Sequence, residues 1–244
     1  MEASFKNKTA LVIGASQGIG REIAKQLASY GAKVIAVSRS KDRLGTLQQE
    51  VPSMQVIPLD VTNWNETEKV LSGLGPIDFL VNNAGPGVFE TVLDTTEQQL
   101  DFTFGINVKS LINTTRVIAK NFLQHKTPGV IVNLSSSVSM AAASNLSAYI
   151  AAKGAVDAYT RACALELGPH NIRVNCVNAT IILTETDQLG YDDPSKANPL
   201  YEITPLKRFC KIQEVVDVTL YLLSNQSSMI TGVCLPVDGG FLAT

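Results

Sequence analysis

The sequence predicts an α/β fold: one doubly wound, seven-stranded parallel sheet flanked by helices. Three observations lead to this prediction. Short apolar runs alternate with helix-like stretches from end to end, several of these runs are apolar at every position, and 45% of the 244 residues are hydrophobic. Continuous apolar runs are typical of parallel strands covered on both faces. Alternation of strands with helices is typical of a sheet with helices on both sides.

Seven segments are predicted strands because each is short, apolar and rich in β-branched residues. They span 9–14, 33–38, 54–60, 77–83, 129–135, 172–178 and 233–238. Helical patterns cover 19–30, 41–50, 63–73, 97–124, 148–167 and 212–224. Residues 179–209 are predicted to be irregular, since they hold three prolines and an Asp-Asp-Pro, and such a long stretch is usually a lid or binding loop. No linker or repeat divides residues 1–244, which are predicted to form one domain.

Composition excludes several classes of protein. The formal net charge is −2 and no basic arm or stripe is present, so nucleic acid is not an expected partner. No apolar run reaches the roughly 18 residues that span a bilayer. The first residues lack the organisation of a signal or transit peptide and the last lack a lipidation or peroxisomal motif, so the cytoplasm is expected.

The cysteines and histidines give little sign of a metal or redox site. The four cysteines show no CxxC or metal-like spacing and are expected to behave as small hydrophobes in a reducing compartment: Cys163, Cys176, Cys210 and Cys234. The chain has only two histidines, His125 and His170, which is too few to favour a His-based metal site or a Ser-His-Asp triad.

A glycine-rich turn, "GASQGIG", follows the first predicted strand and opens the first helix. Backbone amides at a helix N-terminus, with no side chains in the way, form a site for a pyrophosphate. The Gly-x3-Gly-x-Gly spacing is weak evidence alone, and its position in a βαβ unit makes it stronger. The alternative is a tight turn with no ligand. We assign this segment to a dinucleotide through Gly14, Ser16, Gln17, Gly18, Ile19 and Gly20.

The next three strands end in residues suited to the rest of a dinucleotide. Ser38 is neutral, and the Arg39 guanidinium can form two hydrogen bonds to a 2′-phosphate, so the end of this strand favours NADP(H) over NAD(H). The alternative is that Arg39 is an ordinary solvated surface arginine. Asp60, followed by Val61, ends the third strand, where its carboxylate could accept from the adenine amino group. The segment "NNAG" ends the fourth strand, so the cofactor set also includes Asn83, Ala84 and Gly85.

A tyrosine and a lysine stand four apart in "SAYIAAKGAVDAY", a stretch of small apolar residues. On a helix, Tyr149 and Lys153 share a face. Ser136, thirteen residues before Tyr149, ends the fifth strand at the sheet edge where the other candidates lie. Alone, the pair could be two side chains snorkelling from an ordinary amphipathic helix.

Together these motifs resemble the short-chain dehydrogenase/reductase family over the whole chain. The resemblance rests on "GASQGIG", "NNAG", Asn107 in "GINVKS", Ser136, "YIAAK" and the late "PVDGG". It implies a Rossmann-type domain, an NADP(H) cofactor, a substrate lid at about 183–209 and a homotetramer. Within the family, "GPIDFLVNNA", "ALELGPHNIRVN" and "DPSKA" are most similar to the L-xylulose (dicarbonyl) reductases and related carbonyl reductases. Reduction of L-xylulose to xylitol and of small α-dicarbonyls is therefore expected.

The resemblance also implies a role for each site residue. A free tyrosine has a pKa of about 10. An ammonium one turn away and an oxidised nicotinamide are expected to lower the pKa of Tyr149, which would donate a proton to the substrate carbonyl. Ser136 would hydrogen-bond the same oxygen, Lys153 would hold the nicotinamide ribose, and Asn107 would bind a water linked to Lys153. Tyr149, Lys153, Ile182 and Thr184 are also assigned to the cofactor.

The predicted substrate pocket is formed by Ser136, Leu146, Tyr149 and Tyr191. Leu146 is apolar where the most similar relatives tend to be polar, which favours an apolar carbonyl over a sugar. Three departures from the family pattern are expected to weaken cofactor binding: Ile13, Gln17 and Ala179. Two alternatives stay open: a 3-oxoacyl thioester reductase or alcohol dehydrogenase of the same family, and a non-catalytic NADP-binding protein.

Overall fold

The computed structural model describes residues 1–83, 85–182 and 193–244. Within these residues a single parallel sheet has the strand order β3-β2-β1-β4-β5-β6-β7, which confirms the predicted fold class. The strands are β1 Thr9–Ile13, β2 Lys33–Ser38, β3 Gln55–Pro58, β4 Phe79–Asn82, β5 Val130–Ser136, β6 Arg173–Ala179 and β7 Cys234–Val237. Because all the strands are parallel, their carboxyl ends meet at one edge of the sheet.

Helices cover both faces of the sheet. They are α1 Gly18–Ser29, α2 Lys41–Glu50, α3 Trp64–Ser72, α4 Glu97–Phe104, α5 Ser110–His125, α6 Ser147–Leu167, α7 Pro194–Ile203 and α8 Ile212–Leu223. Alternate residues of β1 face opposite layers, as a period of two requires. Ala10 and Val12 pack with α1, α2 and α8, whereas Leu11 packs with α3, α5 and α6. No helix in the described part of the chain is both long and apolar enough to cross a membrane.

The predicted helix over 97–124 is interrupted by a wide turn at Gly105–Lys109, in which the hydrogen bonds have π-helical spacing. Asn107 lies in this turn, and its Nδ2 donates to the Thr103 carbonyl at 3.0 Å. An asparagine side chain that bonds to nearby backbone competes with the regular ladder. Such π-turns often occur at functional sites, and the hydrophobic period of the sequence does not reveal them.

The prediction that 179–209 is irregular was wrong for Pro194–Ile203, which forms α7. Asp193 caps this helix, since its carboxylate accepts the Ser195 amide at 2.9 Å. Proline at the first helical position costs nothing, because that position needs no amide donor. Asp193 and Pro194 therefore form a helix start, which the proline count obscured.

Candidate active site

The glycine-rich turn between β1 and α1 is built for close approach of its backbone to another group. Gly14 and Gly18 have φ values of 78° and 55°, in the left-handed region. A Cβ on Gly20 would collide with the Gly14 carbonyl and the Asn83 side chain. A Cβ on Gly18 would meet no atom within 4 Å, so the space beside the start of α1 is open. An open helix N-terminus lined by backbone amides suits a pyrophosphate.

The end of β4 braces this turn. Asn83 Nδ2 donates to the Gly14 carbonyl at 3.1 Å, and the Asn83 amide donates to the Ile13 carbonyl at 3.1 Å. On the other side, the Gly14 amide donates to the Val37 carbonyl at 2.8 Å. Ile13 itself is buried and apolar, so its side chain makes no hydrogen bond to the glycine turn. The turn is held instead by the hydrogen bonds from Asn83 and to β2.

Ser38 and Arg39 lie beyond the turn, at the end of β2. Ser38 Oγ donates to Ser16 Oγ at 2.8 Å, which ties β2 to the glycine turn. Arg39 is exposed and has no ion pair or hydrogen bond within the described ranges, so its guanidinium is available to an anion. Gln17 is exposed and precedes α1 without capping it.

The end of β3 is only partly available for adenine. Asp60 Oδ1 already accepts the Thr62 amide at 3.0 Å and the Thr62 hydroxyl at 2.7 Å. Val61 is buried in the layer beneath. The structure thus gives Asp60 a local role in the turn before α3, and any contact with adenine would use its other oxygen.

The predicted catalytic side chains meet where β5 ends and α6 begins. Ser136 ends β5, and its hydroxyl lies beside the phenol of Tyr149 in the first turn of α6. Lys153 is buried one turn further on. Its Nζ donates to the Leu134 carbonyl at 3.0 Å and lies 5.4 Å from the centre of the Tyr149 ring.

Burial sets the protonation of both groups. It raises the pKa of Tyr149 to about 12, and the Ser136 hydrogen bond opposes this increase only in part. It lowers the pKa of Lys153 to about 8, with Cys176 and Asp157 opposing the change. The protein chain alone does not lower the Tyr149 pKa, because desolvation dominates and Lys153 is directed to a backbone carbonyl; the lowering expected in the presence of an oxidised nicotinamide stays a prediction. Tyr149 is a neutral phenol at pH 7, the form that can donate a proton.

Asn107 is completely buried beside the loop that follows β4. Its Nδ2 donates to the Pro86 carbonyl at 3.3 Å as well as to Thr103. Its Oδ1 is buried and has no hydrogen-bond partner among the described residues. A buried acceptor left unpaired costs free energy, so this oxygen is a suitable position for a bound water. A Cβ on Gly85 would collide with it, which explains the glycine there.

Leu146 ends the loop before α6 and faces the segment after β4. A Cβ on Gly87 would lie 3.8 Å from both Leu146 Cδ2 and Tyr149 Cγ, so this loop covers the Tyr149 ring. Glu90 and Leu146 form an isolated parallel bridge beside a cavity of about 410 Å³. The cavity is lined by Phe89, Glu90, Thr91, Asp94, Gln99 and Asn145.

Ile182 lies after β6 and bridges to Cys210. Ala84, Thr184 and Tyr191, which the sequence also assigned to the site, lie outside the described residues.

Sequence reasoning missed a polar network beneath the catalytic helix. Asp157 Oδ2 accepts from the Ser139 hydroxyl at 2.6 Å and from Asn178 Nδ2 at 2.9 Å. Ser139 Oγ also donates to the Ser136 carbonyl at 2.6 Å. The network therefore connects the middle of α6 to the end of β5. Asp157 is four residues after Lys153, so helical periodicity continued by one turn could have identified it.

Comparisons with known proteins agree with this arrangement. A family model described as enoyl-(acyl carrier protein) reductase matches residues 14–242. The chain is 43% identical to L-xylulose reductase of Bos taurus and 40% identical to carbonyl reductase (NADPH) 2 of Sus scrofa, each over 244 residues that cover all of both chains. Among solved structures, a Beutenbergia cavernae protein assigned as an NAD(P)-dependent gluconate 5-dehydrogenase, with NADP bound, is 28% identical with a TM-score of 0.91. That match covers 99% of this chain and 100% of the other.

Proposed function

The chain is an oxidoreductase that belongs to the short-chain dehydrogenase/reductase family, and we propose that it reduces L-xylulose and small α-dicarbonyls with NADPH, using Tyr149 as the proton donor. The observation that supports this most is the junction of β5 and α6, where the Ser136 hydroxyl lies beside a neutral Tyr149 phenol and Lys153 Nζ lies 5.4 Å from the centre of the ring. A proton donor next to a second hydrogen-bond donor is the arrangement that carbonyl reduction requires.

The glycine turn fits the pyrophosphate of a dinucleotide. Its open side at Gly18 leaves space beside the amides at the start of α1, and Arg39, directly after β2, has a guanidinium with no partner among the described residues. A bidentate guanidinium suits a 2′-phosphate, and no carboxylate ends β2 to repel one. We infer that Arg39 binds this phosphate with Ser16 and Ser38 beside it. NADPH is thus the preferred cofactor, which would supply the hydride.

The protein's own groups then hold the substrate carbonyl and protonate it. Ser136 donates a hydrogen bond to the carbonyl oxygen as negative charge develops there, and Tyr149 transfers its phenolic proton to the same oxygen. A pKa of about 12 keeps this proton on Tyr149 until the oxygen becomes strongly basic. Lys153, positively charged below its pKa of about 8, would hold the nicotinamide ribose of the bound cofactor.

Asn107 and Lys153 are proposed to return the proton from solvent. The unpaired Oδ1 of Asn107 can hold a water. In this proposal, the water connects Lys153 to bulk solvent and so permits reprotonation of Tyr149 between turnovers.

Substrate selection is proposed to depend on Leu146 and on the loop that covers Tyr149. Leu146 presents an apolar surface next to the Tyr149 ring, which suits a small apolar carbonyl such as diacetyl better than a polyol chain. The two reductase relatives support a small carbonyl compound or sugar as substrate. The matching family model is described as an enoyl-(acyl carrier protein) reductase, so an acyl thioester is the alternative class of substrate that remains to be tested.

A substrate panel tests the proposal. Purified protein would be assayed for NADPH oxidation with diacetyl, L-xylulose and a 3-oxoacyl thioester, and for NADP+ reduction with a simple secondary alcohol. Turnover of diacetyl or L-xylulose is expected, with diacetyl giving the larger kcat/KM. Turnover of the thioester alone would replace the proposed substrate, and turnover with NADH at an equal KM would remove the role of Arg39.

We also infer a homotetramer located in the cytoplasm. The outer face of α6 is formed by small residues, with Ala151 exposed and open space at Gly154, and Leu165 further along is 79% exposed. Small residues let helices of two subunits approach closely. Light scattering after size exclusion should give four times the 26.2 kDa chain mass, and a monomer would contradict the inference.

A further inference from the structure

Cys176 and Cys234, which are distant in sequence, occupy partner positions on adjacent strands. Cys176 of β6 is the register partner of Cys234 of β7. Neighbouring strands lie about 4.8 Å apart, and a disulfide needs Cα atoms about 4.4–6.8 Å apart. The two Sγ atoms and a carboxylate oxygen of Asp157 lie within 4.8 Å of one another. The backbone thus meets the distance requirement, and side-chain rotation can close the rest.

The two thiols have different surroundings. Cys234 is partly exposed on the edge strand, and the pKa of its thiol is lowered by the neighbouring Cys176 thiol and by the Arg161 guanidinium, whose Nη1 lies 3.7 Å from Cys234 Sγ. Cys176 is buried, burial raises the pKa of its thiol, and its S–H donates to Asp157 Oδ1 at 3.4 Å. A partly exposed thiol whose pKa is lowered, next to a buried partner thiol, is the arrangement of a peroxide-sensitive pair.

A metal ion fits this cluster less well. The Arg161 guanidinium next to Cys234 would repel a cation. Asp157 Oδ2 already receives hydrogen bonds from Ser139 and Asn178, so the carboxylate is satisfied without a metal. The same contacts favour an anionic sulfur at Cys234, which is the reactive form for oxidation.

We propose that Cys176 and Cys234 are an oxidative modification site that closes to a reversible disulfide in the presence of hydrogen peroxide. The Cys234 thiolate attacks one peroxide oxygen, so an S–O bond forms as the O–O bond breaks and hydroxide leaves. The Cys176 sulfur then attacks the Cys234 sulfur, and the S–S bond forms as the S–O bond breaks. Cys176 loses its proton to Asp157, which passes it to the departing hydroxide. Two thiols and one peroxide give one disulfide and two waters.

The disulfide would lie between β6 and β7, under α6. Cys176 packs with Val156 of that helix, and Cys234 is in contact with the same small cluster. Cys234 is partly exposed, and exposed disulfides are among the easily reduced ones. Reduction by a small dithiol should therefore restore both thiols.

Peptide mapping of the full-length protein tests the proposal without any activity assay. Reduced protein would be exposed to hydrogen peroxide, its remaining thiols alkylated, and its digest analysed by mass spectrometry. We expect one linked peptide pair joining Cys176 to Cys234, which dithiothreitol separates. A digest with all four thiols alkylated, or with other cysteines joined, would overturn the proposal, as would tightly bound zinc that protects both thiols.

Variants sharpen the test. In the Cys176→Ser variant, peroxide should oxidise Cys234 only as far as the sulfenic acid, which dimedone labels. Dimedone labelling of Cys210 alone would contradict the proposal that Cys234 is the thiol that reacts with peroxide. The matched control is Cys163→Ser, another buried cysteine of the α6 region, which should form the disulfide as the parent does. Because the mapping of the parent protein needs no variant, poor folding of either variant leaves the proposal testable.

Discussion

Replacing Lys153 with methionine is expected to stabilise the protein at neutral pH while it abolishes turnover. The Lys153 side chain is only 4% exposed, and burial lowers its pKa from 10.5 to about 8. At 1.36 kcal/mol for each pKa unit, this difference disfavours the folded protein by about 3 kcal/mol at pH 7. Lys153 binds its proton more tightly in the unfolded chain than in the folded protein. The destabilisation of the folded protein is therefore complete below pH 8 and disappears as the pH rises through 10.5.

Methionine fills a similar space without a charge, so the variant avoids this cost. It also loses the hydrogen bond from Nζ to the Leu134 carbonyl, worth about 1 kcal/mol. The net gain at pH 7 is about 2 kcal/mol, which corresponds to an increase in Tm of about 4–8 °C for a chain of this size. At pH 9.5 the cost in the parent falls to about 1 kcal/mol, so the two proteins should be nearly equal.

Urea unfolding at pH 7 and pH 9.5 measures the effect, with Lys33→Met as the control because Lys33 is exposed at the start of β2. The control should show no such gain at either pH. The reasoning is refuted if Lys153→Met is less stable than the parent at pH 7, or if its advantage is as large at pH 9.5.

Three further substitutions test the cofactor and substrate sites. Arg39→Gln should raise the KM for NADPH about tenfold and leave the KM for NADH unchanged. Tenfold corresponds to the lower end of the range for a hydrogen bond to a charged group. Equal changes with both cofactors would contradict a contact between Arg39 and the phosphate. Gly20→Ala should lower the Tm by about 2–8 °C because its Cβ collides with backbone, whereas Gly45→Ala in α2 has open space and should raise it. Calorimetry decides between these directions, and an unchanged Tm in Gly20→Ala would show that the turn relaxes. Leu146→Asn should shift the ratio of kcat/KM values toward L-xylulose by about fivefold, a single added hydrogen bond, and a shift toward diacetyl would exclude Leu146 from the pocket.

Much of the architecture could be predicted from local patterns because parallel strands and glycine turns leave strong local signals. Val12 and Leu11 face different helical layers, and a strand covered on both faces must be apolar at both. The spacing of Tyr149 and Lys153 follows from one helical turn. These features depend on neighbours a few residues away, which a sequence displays directly.

Other features depend on contacts between distant residues. Cys176 and Cys234 are 58 residues apart, and only the register of β6 with β7 makes them partners. The pKa of Tyr149 rises because tertiary packing buries the phenol and directs Lys153 to Leu134. The prolines around α7 favoured a loop, whereas the Asp193 cap made a helix possible. Spacing along the chain contains none of this information.

The measurement that tests the central claim most directly compares Tyr149→Phe with the parent, in NADPH turnover and in NADPH binding followed by cofactor fluorescence. Removing the phenolic proton donor should reduce kcat by about 10²–10⁴-fold, as for other positioned acids. The Kd for NADPH should stay within about twofold, because the glycine turn and Arg39 lie at other strand ends. A variant that keeps kcat within a few-fold of the parent would show that the proton comes from another group and would contradict this account.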